Sequence, residues 1–504
     1  MLALDSGTSS CRAVLYAEDG AVLLTHQEPL TLHTPQPGWA EQDALELRDV
    51  ALRCLDAVAH DAARLGFALS AQNVVGLGIT NQRETTVCWD ARTGEPLCRA
   101  LVWLDTRTKE LVDAHIARLG SADALRAQCG LPLATYFSAV KMQWMMAHEA
   151  RVQAALASGH ARFGTVDSWL LYALTGAHEG GVHVTDVTNA SRTMLLNLHT
   201  RQWDAQLAHE FGVPLSALPI VCSSAEPYGR LVLPASLRGI VINGCLGDQQ
   251  AALVGQRCFA SGTAKCTLGT GAFLLYNTGL EARPSARGLL TTIAYQFGRD
   301  AAPVYALEGS VAICGAGITW LRDQLHVISA APDVSRHALE VADAGGVVFV
   351  PALSGLFAPH WRADARGLVR GLTQHTTRAH LCRALLEGIA CSNCDILDAC
   401  AADSGVALAQ LTVDGGVARS DVLLQLQADL LGIPVTRPSD TETTVRGAAM
   451  AAAFAAQLWT PASVPVPERG DAQHRAARFE ATLSEEARRT RLAAWAHAVK
   501  LSYA

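Results

Sequence analysis

Short apolar runs and stretches of helical period alternate along this chain, and the first of them already form a unit. Leu2-Ala-Leu-Asp5 and Arg12-Ala-Val-Leu-Tyr16 predict two strands, and Ser6-Gly-Thr-Ser-Ser10 between them predicts a tight polar turn. Apolar positions at helical spacing then run from about Ala44 to Leu65. The run Val74-Val-Gly-Leu-Gly-Ile79 predicts a strand. Another strand is predicted from Thr85 to Trp89, turning at Thr93-Gly94, with helices from about Thr108 to Arg118 and Ser138 to His148. The second half repeats the opening unit: strand Lys265-Cys-Thr-Leu268, turn Gly269-Thr-Gly271, return strand Ala272 to Tyr276. Near the end, Leu411-Thr-Val-Asp-Gly-Gly416 predicts a strand entering a glycine loop, followed by a helix from about Ser420 to Leu431. Strands alternating with helices predict an α/β fold. The repeated hairpin divides the chain into two α/β domains, residues 1–255 and 256–504, each lending a hairpin to a shared central cleft.

Composition changes this picture little and excludes a good deal. The 504 residues allow about three domains or two large ones. A net charge of −7 argues against nucleic-acid binding by bulk electrostatics. Mean hydropathy is positive at +0.18, yet no apolar run approaches the ~18 residues of a spanning helix. Its richest stretch, Ala448 to Ala456, is mostly alanine, so a soluble protein without membrane insertion is expected. No basic segment precedes an apolar one at the N-terminus, so no signal peptide is expected and the predicted location is cytoplasmic. The 14 cysteines follow no disulfide rhythm, and Cys391-x-x-Cys394 lacks a second pair at zinc spacing, so buried thiols are expected there.

Absent motifs narrow the chemistry. None of Lys109, Lys141, Lys265 and Lys500 follows a glycine, so no P-loop is present. The G-x-G fragments at Gly76, Gly269 and Gly315 lack the third glycine of a dinucleotide fingerprint. Gly/Ser/Thr hairpins can nonetheless cradle phosphates, because successive backbone N–H groups and hydroxyls converge on anionic oxygens. An aspartate at a strand end, such as Asp5, suits Mg²⁺, which takes carboxylates and keeps water.

The ordered motifs Asp5-Ser-Gly-Thr-Ser-Ser10, Gly78-Ile-Thr-Asn-Gln-Arg-Glu-Thr-Thr86, Val102-Trp-Leu-Asp105, Gly247-Asp-Gln-Gln250, Leu268-Gly-Thr-Gly-Ala-Phe273, Val413-Asp-Gly-Gly416 and Glu442-Thr-Thr444 closely resemble the FGGY carbohydrate kinases. That family lies within the actin/hexokinase/Hsp70 superfamily. The resemblance runs from Asp5 to about Trp459. It implies two actin/hexokinase-like (ribonuclease H-like) ATPase domains flanking the cleft. It also implies ATP-dependent phosphorylation of glycerol with Mg²⁺, in a homodimer or homotetramer. Arg83 and Glu84 would fix two hydroxyls of the triol, with Tyr136 and Gln249 as further polar contacts. Trp103 and Phe273 would wall the carbon backbone, and Asp248 would take the proton of the attacking hydroxyl. Thr8, Ser9, Arg12, Gly269 and Thr270 would meet the nucleotide's phosphates, Gly315, Ile318 and Gly416 would lie along its adenosine, and Asp5 would hold the metal. Gly415 and Gly416 suit the approach of a purine because they lack a Cβ. Ser420 stands where relatives carry Asn near adenine, and Val445-Arg446 puts a charge where they are apolar. Two alternatives stay open at this point: another FGGY kinase acting on xylulose or gluconate, or an ATP-binding regulator without catalysis.

Overall fold

The computed structural model describes residues 1–440, 442–465 and 476–503. The N-terminal sheet is built from β1 (Leu2–Ser6), β2 (Ser10–Tyr16), β3 (Val22–Pro29), β4 (Leu77–Asn81) and β5 (Val241–Gly247), with Gly229–Arg230 on its edge. In space the strands run β3-β2-β1-β4-β5. The β1/β2 and β2/β3 pairs are antiparallel, whereas β1/β4 and β4/β5 are parallel. Helix α1 (Ala44–Arg64) covers one face. Asp43 caps its first turn, and Leu47, Val50, Ala51, Cys54, Leu55 and Val58 fall at helical spacing on the buried side.

The C-terminal sheet repeats that order. It contains β6 (Thr263–Leu268), β7 (Ala272–Gly279), β8 (Leu290–Tyr295), β9 (Val304–Val311), β10 (Gln410–Asp414) and β11 (Val435–Arg437). Its core reads β9-β7-β6-β10-β11, again two antiparallel pairs followed by two parallel ones. The sequence-level repeat of the hairpin is therefore a repeat of a five-strand topology. Both hairpin turns and the carboxyl ends of β1 and β10 lie on one side of each sheet, where open α/β sheets bind ligands.

Two strands lie further along the chain than their apolar runs predict. Val75 is exposed and Gly76 only accepts a bond from Leu2, so the strand comprises Leu77 to Asn81. Polar Thr80 and Asn81 belong to it because both are buried between β1 and β5. Likewise β5 continues through Gly244-Cys-Leu-Gly247, past the apolar residues Ile240 to Ile242. A Cβ at Gly244 would stand 2.5 Å from the backbone nitrogen of Ala452, so the glycine belongs to the packing.

That packing joins the halves. Helix α2 (Asp248–Gly255) follows β5, and helix α3 (Thr443–Ala455), late in the chain, lies against α2 and across β1, β4 and β5. One shared core mixes Ala3, Val14 and Leu246 with Leu275, Ala306, Ala448 and Met450. Cys391 and Cys394 are buried free thiols on the helix Arg378–Ser404, and Arg446 is buried with its guanidinium donating to the carbonyl of Pro465 at 2.8 Å. No described helix is long and apolar enough to cross a membrane.

A Cβ at Gly447 would stand 1.8 Å from the carbonyl oxygen of Ala251, backbone against backbone, whereas one at Gly416 meets nothing. Gly447→Ala is expected to cost at least about 2 kcal/mol and Gly416→Ala under about 0.5 kcal/mol, as read by denaturant unfolding.

Candidate active site

Each hairpin closes on itself by one short backbone bond: Gly7 N–H to Ser10 O at 3.0 Å, and Gly269 N–H to Gly271 O at 2.9 Å. Asp5, next to last in β1, lies in direct register with Arg12 of β2. Arg12 donates to Gln27 at 3.0 and 2.8 Å and contacts the Glu442 carboxylate from the other half. In the second half, the amides of Cys314 and Ala316 bond the carbonyl of Thr270 at 2.9 and 3.0 Å, and that of Gly315 bonds Gly269 at 2.9 Å. A Cβ at Gly315 would lie 2.7 Å from the Gly269 carbonyl, so this turn admits only glycine. Ile318, one turn on, packs in the C-terminal core. Gly415 and Gly416 differ from each other. Gly415 has φ +88° and its Cβ would collide with the Leu268 carbonyl at 2.5 Å, so strand packing alone demands glycine there; Gly416 faces open space. Ser420 caps the helix Asp421–Leu431, accepting from Leu423 N at 3.2 Å.

Between the hairpins lies a buried cluster of charges drawn from both halves. Arg83 forms a bidentate pair with Glu308 at 2.7 and 2.9 Å, reaches Gln250 at 3.2 Å, and sets its Nε 3.1 Å from Asp248. Arg192 donates to Glu84 at 2.6 Å and to Glu308 at 3.3 Å. Arg83, Glu84, Arg192 and Glu308 are all buried, and only Asp248 opens toward solvent, its side chain 29% exposed. Charges tolerate such burial only when paired in good geometry. Burial alone would raise the Glu308 carboxyl, but the Arg192 and Arg83 guanidiniums outweigh it and hold the group at about 2. At Glu84, burial prevails over the same two arginines and pushes the carboxyl up. Glu84 also sits at φ 60°, an uncommon conformation for its type, with its carbonyl clamped by the hydroxyls of Ser138 and Thr86 at 3.0 Å each.

Asp248 is the first residue of α2; the cap position belongs to Gly247. A Cβ at Gly247 would lie 2.7 Å from Arg83 Cδ, so this glycine makes room for the arginine that holds Asp248. The carboxylate also accepts from Gln249 N at 2.7 Å. Asp5 is half-buried: desolvation, with the Asp248 and Glu442 charges adding to it against Arg12, raises its carboxyl to about 7.

Trp103 and Tyr136 meet edge to face at 5.5 Å, and the Trp103 indole donates to the hydroxyl of Thr8 at 2.9 Å. Buried Lys141 holds the Tyr136 loop from behind through the carbonyls of Thr135, Tyr136 and Phe137. Phe273 stands apart, half-buried on β7 opposite Thr267, with no aromatic partner among the described residues. Gln249 accepts from buried Lys265, which also bonds Thr267 at 3.1 Å.

The structure thus gathers Arg83, Glu84 and Asp248 in one cluster and ties Trp103 and Tyr136 to the first hairpin. It adds Arg192, Glu308 and Lys265, to which the motifs assign no role. Their one signal in the sequence is a lone charge inside an apolar or small-residue stretch, which must find a partner if the stretch is buried.

Comparison with known proteins agrees with this geometry. Residues 1–255 match the N-terminal domain of the FGGY family of carbohydrate kinases and residues 264–456 its C-terminal domain. The chain is 50% identical over 458 residues to a glycerol kinase of Rhizorhabdus wittichii, covering 91% of this chain and 88% of the relative. It is 46% identical over 494 residues to a probable glycerol kinase of Dictyostelium discoideum, covering 91% of each. The crystal structure of Plasmodium falciparum glycerol kinase with ADP superposes with a TM-score of 0.92 at 34% identity, covering 100% of this chain and 98% of that one. Paired five-strand sheets, two Gly/Thr hairpins and matches along most of the length lead to one assignment: the chain belongs to the FGGY family of carbohydrate kinases.

Proposed function

We propose that the cleft transfers the γ-phosphoryl group of ATP to a terminal hydroxyl of glycerol, giving sn-glycerol 3-phosphate and ADP. The observation that carries this reading is the Arg83–Glu84–Arg192–Glu308 cluster with Asp248 at its open edge, set between two Gly/Thr hairpins. Similarity to named glycerol kinases at 46–50% identity supports the choice of acceptor. The solved xylulose and gluconate kinases, at 24% identity or below, support the fold alone.

A triol asks for converging polar groups in a small slot. Arg83 donates to one hydroxyl and Glu84 accepts from another, Tyr136 and Gln249 add polar contacts, and Trp103 and Phe273 bound the carbon chain. Asp248 accepts the proton as the hydroxyl oxygen bonds to the γ-phosphorus and the bond from that phosphorus to the ADP oxygen breaks. Its partial exposure and its anchor on Arg83 Nε leave one carboxylate edge for this task. Thr8, Ser9, Arg12, Gly269 and Thr270 hold the phosphates; Gly315, Ile318 and Gly416 line the adenosine. Phosphoryl transfer passes through a loose transition state, so positioning and charge stabilisation supply most of the acceleration.

The donor set also fits Mg²⁺. Asp248, Glu442 and the Arg12 guanidinium all lie within electrostatic reach of the Asp5 carboxylate, and desolvation, reinforced by the two carboxylates, raises Asp5 to about 7. Asp5 would hold the ion, which supplies charge neutralisation for the transferring phosphoryl group. The proposal includes a cytoplasmic location and assembly into dimers or tetramers, which cell fractionation and light scattering test.

Glycerol-dependent ADP release, measured against D-xylulose and gluconate, checks the acceptor; activity on the sugars alone would exclude glycerol. Asp248→Asn should lower kcat by about 10²–10⁴-fold with little change in Tm. A kcat within a few-fold of wild type would leave Asp248 only its bonds to Gln249 and Arg83. Asp5 gives a pH signature. Its folded pKa of about 7 lies above its ordinary value, so the folded protein binds a proton that the unfolded chain releases, and stability falls as pH rises from about 4 to 7. Asp5→Asn should therefore exceed wild type in Tm above pH 7, with the difference fading as pH drops through that window. The same variant should need more Mg²⁺ for half-maximal activity.

A further inference from the structure

We infer that two buried glutamines outside the substrate and nucleotide contacts, Gln82 and Gln42, are positioning residues that aim the amides of the first hairpin at a nucleotide phosphate. This rests on the reading of Thr8 and Ser9 as phosphate contacts. Gln82 follows β4 and extends the ladder through its own amide, which bonds the carbonyl of Ser6 at 2.9 Å. Its side-chain Nε2 donates to the carbonyl of Gly7 at 3.1 Å and to Gln42 Oε1 at 2.7 Å. Gln42 in turn donates to the carbonyl of Thr8 at 2.8 Å. Both side chains are buried, and the orientation of each amide group is fixed by chemistry, since a main-chain carbonyl only accepts.

A trans peptide is planar, with its C=O and N–H on opposite sides. Pinning the Gly7 carbonyl against Gln82 therefore turns the Thr8 N–H away from that wall, and pinning the Thr8 carbonyl against Gln42 does the same for the Ser9 N–H. Neither amide donates to any protein acceptor among the described residues. Two successive free N–H groups turned away from one wall make a cradle for an anionic oxygen. The same wall reaches the acceptor side of the cleft. Gln82 Oε1 accepts from Thr85 at 2.9 Å, Thr85 Oγ1 accepts from the backbone of Trp103 at 3.2 Å, and the Trp103 indole returns to the Thr8 hydroxyl at 2.9 Å. Phosphate hairpin and aromatic wall are thus one hydrogen-bonded body.

The test compares Gln82→Met, Gln42→Met and the double variant, because methionine keeps the length and removes the hydrogen bonds. Each single variant should weaken ADP binding, measured by calorimetry, and raise the KM for ATP by about tenfold, the equivalent of one lost hydrogen bond. The KM for glycerol should move by less than about half that factor. Because both side chains hold one hairpin, the double variant should be little worse than the weaker single one. A lowered Tm with ADP affinity and KM for ATP within twofold of wild type in both singles would overturn the inference, since that is the mark of a purely structural role. Should Gln82→Met fail to fold, Gln42→Met alone decides, because it removes the pin on Thr8 and leaves the Gln82–Gly7 and Gln82–Thr85 bonds intact. Absence of glycerol-dependent ADP release in the wild type would instead refute the proposed reaction. ADP affinity would still report on the hairpin in that event.

Discussion

Helices α2 and α3 cross at a separation that only glycine and alanine permit, and much of the molecule is arranged around that crossing. Gly255 meets the carbonyl of Thr443, and Gly447 meets that of Ala251, each at a distance where a Cβ would overlap backbone. Gly78 of β4 makes the same approach to Ala448. Close-packed interiors cannot absorb even one added methyl at such points. Because α2 begins with Asp248 and α3 begins directly after Glu442, the crossing fixes two carboxylates from opposite halves beside Arg12, Arg83 and Asp5. Position in the cleft is thereby inherited from backbone contact rather than from loops.

The charge cluster is the second consequence. Burying two arginines and two glutamates is costly, and hydrophobic replacements often serve stability as well or better. What such replacements could not provide, on the proposed reading, is a donor and an acceptor held ready for hydroxyl groups beside an aspartate. Glu308 comes from the C-terminal sheet, and its bidentate bond keeps Arg83 oriented so that Nε faces Asp248. The strained backbone of Glu84 belongs to the same arrangement: it is sustained by Ser138, Thr86 and Arg192 together.

How much of this was legible in the sequence depended on how local each signal is. The two hairpins, α1 and the helix Ser138–His148 announce themselves through turn residues and periodicity within a few positions. The strand ending at Asn81 and the one ending at Gly247 extend beyond their apolar runs, because buried polar pairing and glycine packing do not read as strand patterns. The alanine run after Gly447 looks like a neutral contribution to hydropathy, yet it is the surface on which the halves meet. Gly415 reads as room for a ligand and proves to be room for the Leu268 carbonyl. Arg192, Glu308 and Lys265 were beyond local reading, since the site residues they hold, Glu84, Arg83 and Gln249, are 16 to 225 positions away.

The absence of a P-loop lysine in the sequence has its counterpart in how the cleft handles negative charge. On β2, beside the first hairpin, Arg12 is already in contact with Glu442; on β6, before the second, Lys265 is buried and bonded to Gln249 and Thr267. Neither is a free point charge of the kind a flexible lysine offers. On the proposed reading phosphate recognition falls to backbone amides together with Arg12, and amide dipoles are useful only if their direction is fixed in advance, because a hairpin free to rotate would spend its binding energy on ordering itself. Fixing that direction requires a rigid wall behind the hairpin, and here the wall runs on through Thr85 to Trp103, the side proposed to receive the acceptor. Under the proposed reaction, the distance between the two substrates would be set by hydrogen bonds present before either arrives, which is what proximity catalysis needs from a protein.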